Sequence, residues 1–144
     1  MKENDIGYLL AAAAVNILFV LIALHAWSIK KNWPRLKKWL ERGALFMIIP
    51  FSLAAIANFS AQQPAWSVII PLLMVFFLAA EEMFDSLRIN NKSYLVLVIF
   101  RGLFFVMVGL GMMIYAFAGG TPVGFITMGT FAAAGWIGFI STRS

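Results

Sequence analysis

The stretch Ile6–Ser28, IGYLLAAAAVNILFVLIALHAWS, contains no Asp, Glu, Lys or Arg. A helix that crosses the roughly 30 Å hydrocarbon core of a bilayer needs about 20 mostly apolar residues, and this stretch is long enough. Four more apolar blocks follow it: Gly43 to Ser60, Trp66 to Phe84, Ser93 to Ala118 and Pro122 to Ile140. A membrane β-barrel would show apolar–polar alternation over segments of about ten residues, and no such alternation is visible. The expectation is an all-α integral membrane protein with five transmembrane helices, forming a single bundle over residues 1–144.

The totals agree. The chain is 62% hydrophobic and 12% charged, whereas soluble domains are about half apolar and a quarter charged. Too little polar surface is present to coat a water-soluble globule. There is no cysteine, which excludes disulfides, thiolate metal sites and cysteine nucleophiles. The leader MKENDIG is not positively charged and the apolar run after it exceeds a signal-peptide core, so Ile6–Ser28 reads as a retained first helix.

Lysine and arginine orient the bundle, since they concentrate in cytoplasmic loops. Lys30, Lys31, Arg35, Lys37, Lys38 and Arg42 crowd the loop 29–42; Arg88 and Lys92 lie in the third connection and Arg143 in the tail. Five crossings place all of these on one side and only Lys2 on the other. The N-terminus then faces out and the C-terminus in, most simply across the cell membrane. A net charge of +5 sorted in this way argues for a membrane surface and against nucleic acid.

Within the basic loop, Pro34 suits the first turn of a short helix, and Leu36, Trp39 and Leu40 fall on one side of it. Tryptophan prefers the headgroup layer and lysine attracts anionic lipid. Lys30, Lys31, Trp33, Arg35, Lys37, Lys38, Trp39 and Arg42 are therefore the candidate docking residues, for anionic headgroups or for a cytoplasmic protein partner.

A weak internal repeat follows. RGALFMIIP begins at Arg42 and RGLFFVMVG at Arg101, and each segment turns back at a proline, Pro64 or Pro122. The plan is one leading helix plus two helical hairpins, with Pro50 opposite Gly109 and Pro71 opposite Gly129 as matched weak points. The second hairpin is rich in small residues, which let membrane helices approach closely. Gly120, Gly124, Gly129, Ala134 and Gly138 are the candidate packing positions, between its own two helices or in a homo-oligomer.

Three of the six acidic residues stand together at the end of the third block, FLAAEEMFDSLR. At about 1.5 Å per residue, Glu81 and Glu82 lie about 22–24 Å beyond Trp66, near the inner boundary of the core. Glu81 and Asp85 share a helical face. Arg101 approaches the same level from the next span, and an arginine there needs a partner because it stays charged. Glu81, Glu82, Asp85 and Arg101 thus form a candidate ion-pair site, or a cation or proton site. The other polar residues within spans are Asn16, His25 and Asn58. A buried Asn in a span commonly hydrogen-bonds a neighbouring helix, and His25, the single histidine, reads as an interfacial anchor beside Trp27.

No catalytic constellation is visible. Metal hydrolysis wants clustered His and carboxylates, and GLGMM lacks the preceding strand of a nucleotide fingerprint. No cofactor or metal is expected. The leading expectation is a small non-catalytic membrane subunit or scaffold that self-associates or assembles with a partner. The alternative is an oligomeric ion or small-solute channel or transporter using the acidic cluster.

Overall fold

The computed structural model describes residues 6–86 and 91–142, without the side chains of residues 84–86, 91–98, 100, 101, 104 and 142. Six helices fill this range: α1 (Ile6–Lys30), α2 (Pro34–Phe46), α3 (Ile48–Ser60), α4 (Ala65–Ser86), α5 (Asn91–Gly119) and α6 (Thr121–Thr142). No strand occurs among the described residues. Four runs are long and apolar enough to cross a membrane: Ile6–Lys30, Pro34–Ser60, Ala65–Met83 and Thr121–Ser141. Within α5, Phe105–Gly119 is a shorter apolar run.

The boundary expected at Gly43 is not there. Pro34 opens α2 from Trp33, and the helix carries the basic residues straight through Gly43 to Phe46. Only Met47 separates it from α3, so most of the expected loop 29–42 is the lower part of one long helical run. The break has a local cause. Pro50 has no N–H for the carbonyl of Phe46, and its ring crowds that carbonyl. The chain answers by tightening one turn, with the Met47 N–H donating to the Ala44 carbonyl at 3.1 Å.

The other three expected weak points leave their helices unbroken. Glycine keeps its N–H, so α5 continues through Gly109 and α6 through Gly129. Pro71 lies inside α4 without ending it, because its missing donor is replaced from outside, as shown below. Of the four expected weak points, Pro50 coincides with a break in its helix.

Helix α1 is the hub. It packs against α6, α3, α2 and α5, while α3–α4 and α5–α6 form the two hairpins and α4 meets α5. Phe19, Phe105 and Phe131 bring α1, α5 and α6 together at mid-height, with ring centroids 5.3 Å apart for Phe19–Phe131 and for Phe105–Phe131. A Cβ on Gly109 would enter the Phe131 ring, and one on Gly124 would enter Phe117. These two glycines set the α5–α6 spacing. The hairpin turn itself uses Gly120 at φ +144°, a backbone shape open to glycine.

Candidate functional site

The bundle has two chemically different ends. At the end holding the start of α1, Tyr8, Trp66 and Tyr115 form a ring cluster. Tyr8 and Tyr115 have centroids 5.0 Å apart, and Trp66 meets Tyr115 edge-on at 5.8 Å. Under them lies Asn58, fully buried. Its Nδ2 donates to the Ser67 carbonyl at 2.9 Å and to the Tyr115 hydroxyl. Ser67 is four residues before Pro71, so its carbonyl is the acceptor that the proline leaves without a helical donor. The Asn58 amide supplies that donor across the hairpin, which explains why α4 stays continuous. Because the Ser67 carbonyl can only accept, Nδ2 must face it and Oδ1 must face the other way. Oδ1 is buried with no hydrogen-bond partner and abuts Gly7.

Asn16 ties α1 to α6. Its Nδ2 donates to Thr127 Oγ1 at 2.8 Å and to the Ala12 carbonyl at 2.7 Å, and its Oδ1 accepts from Thr130 Oγ1 at 2.5 Å. Both ends of the amide are thus engaged in hydrogen bonds within the chain.

The opposite, basic end is built differently. A cavity of about 400 Å³ opens there between α1, α2, α4 and α5. Its walls are apolar and include Leu18, Ile22, Leu40, Phe77 and Phe105, while its polar side chains among the described residues are His25, Glu41, Glu81 and Glu82. Phe19, Met74 and Met112, in the same core, are almost fully buried. His25 Nε2 lies 3.2 Å from Glu41 Oε1, joining α1 to α2, and Lys37 Nζ reaches the same oxygen at 3.7 Å. Glu81 is half-buried and Glu82 exposed.

No family model matches this chain, and neither the curated proteins nor the solved structures contain a match to it. The site therefore rests on its own geometry.

The structure brings some of the expected residues together and leaves others apart. Glu81 and Glu82 share the cavity mouth with His25. The side chains of Asp85 and Arg101, and with them the expected arginine–carboxylate pair, lie outside the described residues. Lys30, Lys31, Trp33, Arg35, Lys37, Lys38, Trp39 and Arg42 are all exposed. Trp39, expected on the side of Leu40, is 71% exposed while Leu40 is buried, so the apolar side of α2 is narrower than the residue types suggest. Lys31 sits over the Trp27 ring, with Nζ 5.5 Å from its centroid. Among the packing positions, Gly124 and Ala134 are buried, whereas a Cβ on Gly129 or Gly138 would meet nothing.

Sequence reasoning missed Glu41, Tyr115, Thr127 and Thr130. Glu41 was legible as the lone acid in a basic segment, four residues after Lys37. The threonines and the tyrosine carry no such mark, because hydroxyls are common in apolar helices and only the fold says which of them meet an asparagine. Among the described residues, no three His, Asp or Glu side chains converge as metal ligands.

Proposed function

We propose that this chain is a small non-catalytic membrane subunit that crosses the bilayer five times and assembles side by side, with copies of itself or with a partner. Helix α5 makes the fifth crossing, with the N-terminus outside and the basic end in the cytoplasm. There Lys30, Lys31, Arg35, Lys37, Lys38 and Arg42 face anionic headgroups or a cytoplasmic partner. The observation that carries the reading is the outer face of α6. Gly129, Ala132, Ala133 and Gly135 are exposed there, with open space where a Cβ on either glycine would stand. Of these, Gly129, Ala132 and Ala133 fall on one side of the helix and form a flat strip, with Phe125 one turn before it and Trp136 two turns after Gly129. Lipid gives such a strip few partner atoms, while a second helix can approach it closely and gain packing contacts.

Native mass measurement of the complex in nanodiscs tests this. The expected particle holds more than one copy, or one copy with a stoichiometric partner, and Gly129→Leu with Ala133→Leu reduces it to a single chain. A parent protein that runs as one chain without a partner overturns the reading.

The second reading, a conduit, is favoured by one observation: a cavity with carboxylates in its lining lies between α1, α2, α4 and α5. The burial of Phe19, Met74 and Met112 in the core opposes it. Flux into liposomes separates the two. A subunit leaves the vesicles tight, whereas a conduit gives a selective cation leak that Glu81→Gln with Glu82→Gln abolishes.

A further inference from the structure

We propose that the cavity toward the basic end is a binding site for a lipophilic organic cation: an apolar body carrying one quaternary or protonated nitrogen, or an equivalent onium centre. The proposal concerns a cavity enclosed by one chain, so it stands whether or not that chain assembles or conducts.

Three features of the cavity determine the class of ligand. The first is size: about 400 Å³ lies within the ~300–1,000 Å³ of pockets that take drug-sized molecules. The second is polarity along its length. Leu18, Phe77 and Phe105 line it toward the middle of the bundle, and among the described residues its polar side chains come one to two turns nearer the basic end. From Leu18 to His25 is seven residues of α1, about 10 Å at ~1.5 Å per residue. A ligand that fills the cavity is therefore apolar at its inner end and polar at its outer end.

The third feature is the sign of the mouth. Among the described residues, the titratable side chains lining it are His25 from α1, Glu41 from α2, and Glu81 and Glu82 from α4. Three helices thus bring three carboxylates and one imidazole to the same opening. The imidazole already lies against Glu41, and Lys37 touches that same carboxylate from one turn back along α2. Glu82 adds its charge from the opposite wall, beside Glu81. An anionic head would meet carboxylates on two sides of this opening. A cationic head is held at short range by groups partly shielded from water, where Coulomb attraction exceeds its value in bulk solvent. The aromatic walls favour the same ligand, since ring faces attract onium groups as well as packing against an apolar body.

The main competing occupant is an acyl chain of the surrounding lipid, which matches the walls but has no use for the carboxylates. Binding of tetraphenylphosphonium to the purified full chain in nanodiscs distinguishes them, with tetraphenylborate as a probe of closely similar shape and opposite charge. The expected result is saturable binding of the cation, with no competition by the anion. Glu82→Gln, a change at an exposed side chain, weakens binding by about tenfold, which corresponds to ~1.4 kcal/mol. Ala44→Phe, which fills the cavity from α2 without touching its charge, abolishes binding. Absence of saturable binding overturns the proposal. So does equal competition by both ions, or an affinity that Glu82→Gln leaves unchanged; each of these assigns the cavity to lipid. Should Ala44→Phe fail to fold, the charge variant and the anion competition still decide.

Discussion

Tyr115→Ala is expected to lower the unfolding free energy of the bundle by about 2–3 kcal/mol, and Tyr115→Phe by about 1 kcal/mol. Tyr115 is fully buried and supports two other rings, Tyr8 and Trp66. In a water-soluble core, truncating a buried aromatic costs about 3–5 kcal/mol, part of it transfer from water and part of it the void left behind. Within a bilayer most of the transfer part is missing, because the unfolded helix is already in lipid. What remains is the void among α1, α4 and α5, together with one hydrogen bond from Asn58. The phenylalanine variant keeps the ring and loses only the hydroxyl, so Asn58 retains its bond to the Ser67 carbonyl. Detergent-titrated unfolding of the two variants checks the ordering. A Tyr115→Ala protein as stable as the parent would mean that the ring cluster does not hold these helices together.

Helix class and the polarity of the two ends were legible because each depends on runs of one residue type, whereas the helix count was not: five spans were expected, and six helices are described with four runs long and apolar enough to cross a membrane. Twenty apolar residues in a row have few alternative fates, and cations crowded in one segment mark one end. The continuous helix from Pro34 to Phe46 was harder to read, because basic residues and an apolar span suggest two different solvents and thus a boundary. Helical hydrogen bonding takes no account of that change, and the chain breaks only where Pro50 removes a donor. The role of Asn58 was half legible. A proline inside a span leaves one carbonyl without a donor, and a lone amide on the neighbouring helix is the group able to supply one. Sequence alone does not give the register that sets Asn58 opposite Ser67. The cavity was not legible at all. It exists because α2 leans on α1 through Leu40 while Leu45, Phe77 and Phe105 line its walls, and a gap between four helices leaves no pattern along any one of them.

Gly7→Val is expected to be the costliest single change at the aromatic end, by about 3 kcal/mol, combining overpacking of ~1–3 kcal/mol with the loss of buried hydrogen bonds worth ~0.5–1.5 kcal/mol each. The glycine is required here by closeness, not by backbone shape. A Cβ would fall onto Asn58 Oδ1 and stand 3.1 Å from the Ala54 carbonyl oxygen. In the parent, a hydrogen on the Gly7 Cα occupies that direction and points at Oδ1, the one buried side-chain oxygen on the described residues that lacks a conventional partner. A weak C–H···O contact is what that oxygen has. Asn58 cannot swing aside freely, because its Nδ2 would leave the Ser67 carbonyl and Pro71 provides no substitute. The strain is therefore shared between two residues, and a double-mutant cycle reads it. Gly7→Ala should cost clearly less in an Asn58→Ala background than in the parent, with a coupling of about 1 kcal/mol or more. Gly129→Ala, whose added Cβ meets nothing within the chain, is the control and should leave the unfolding of a single chain unchanged. Additive costs for Gly7 and Asn58 would show that the close approach of α1 to α3 does not depend on this pair.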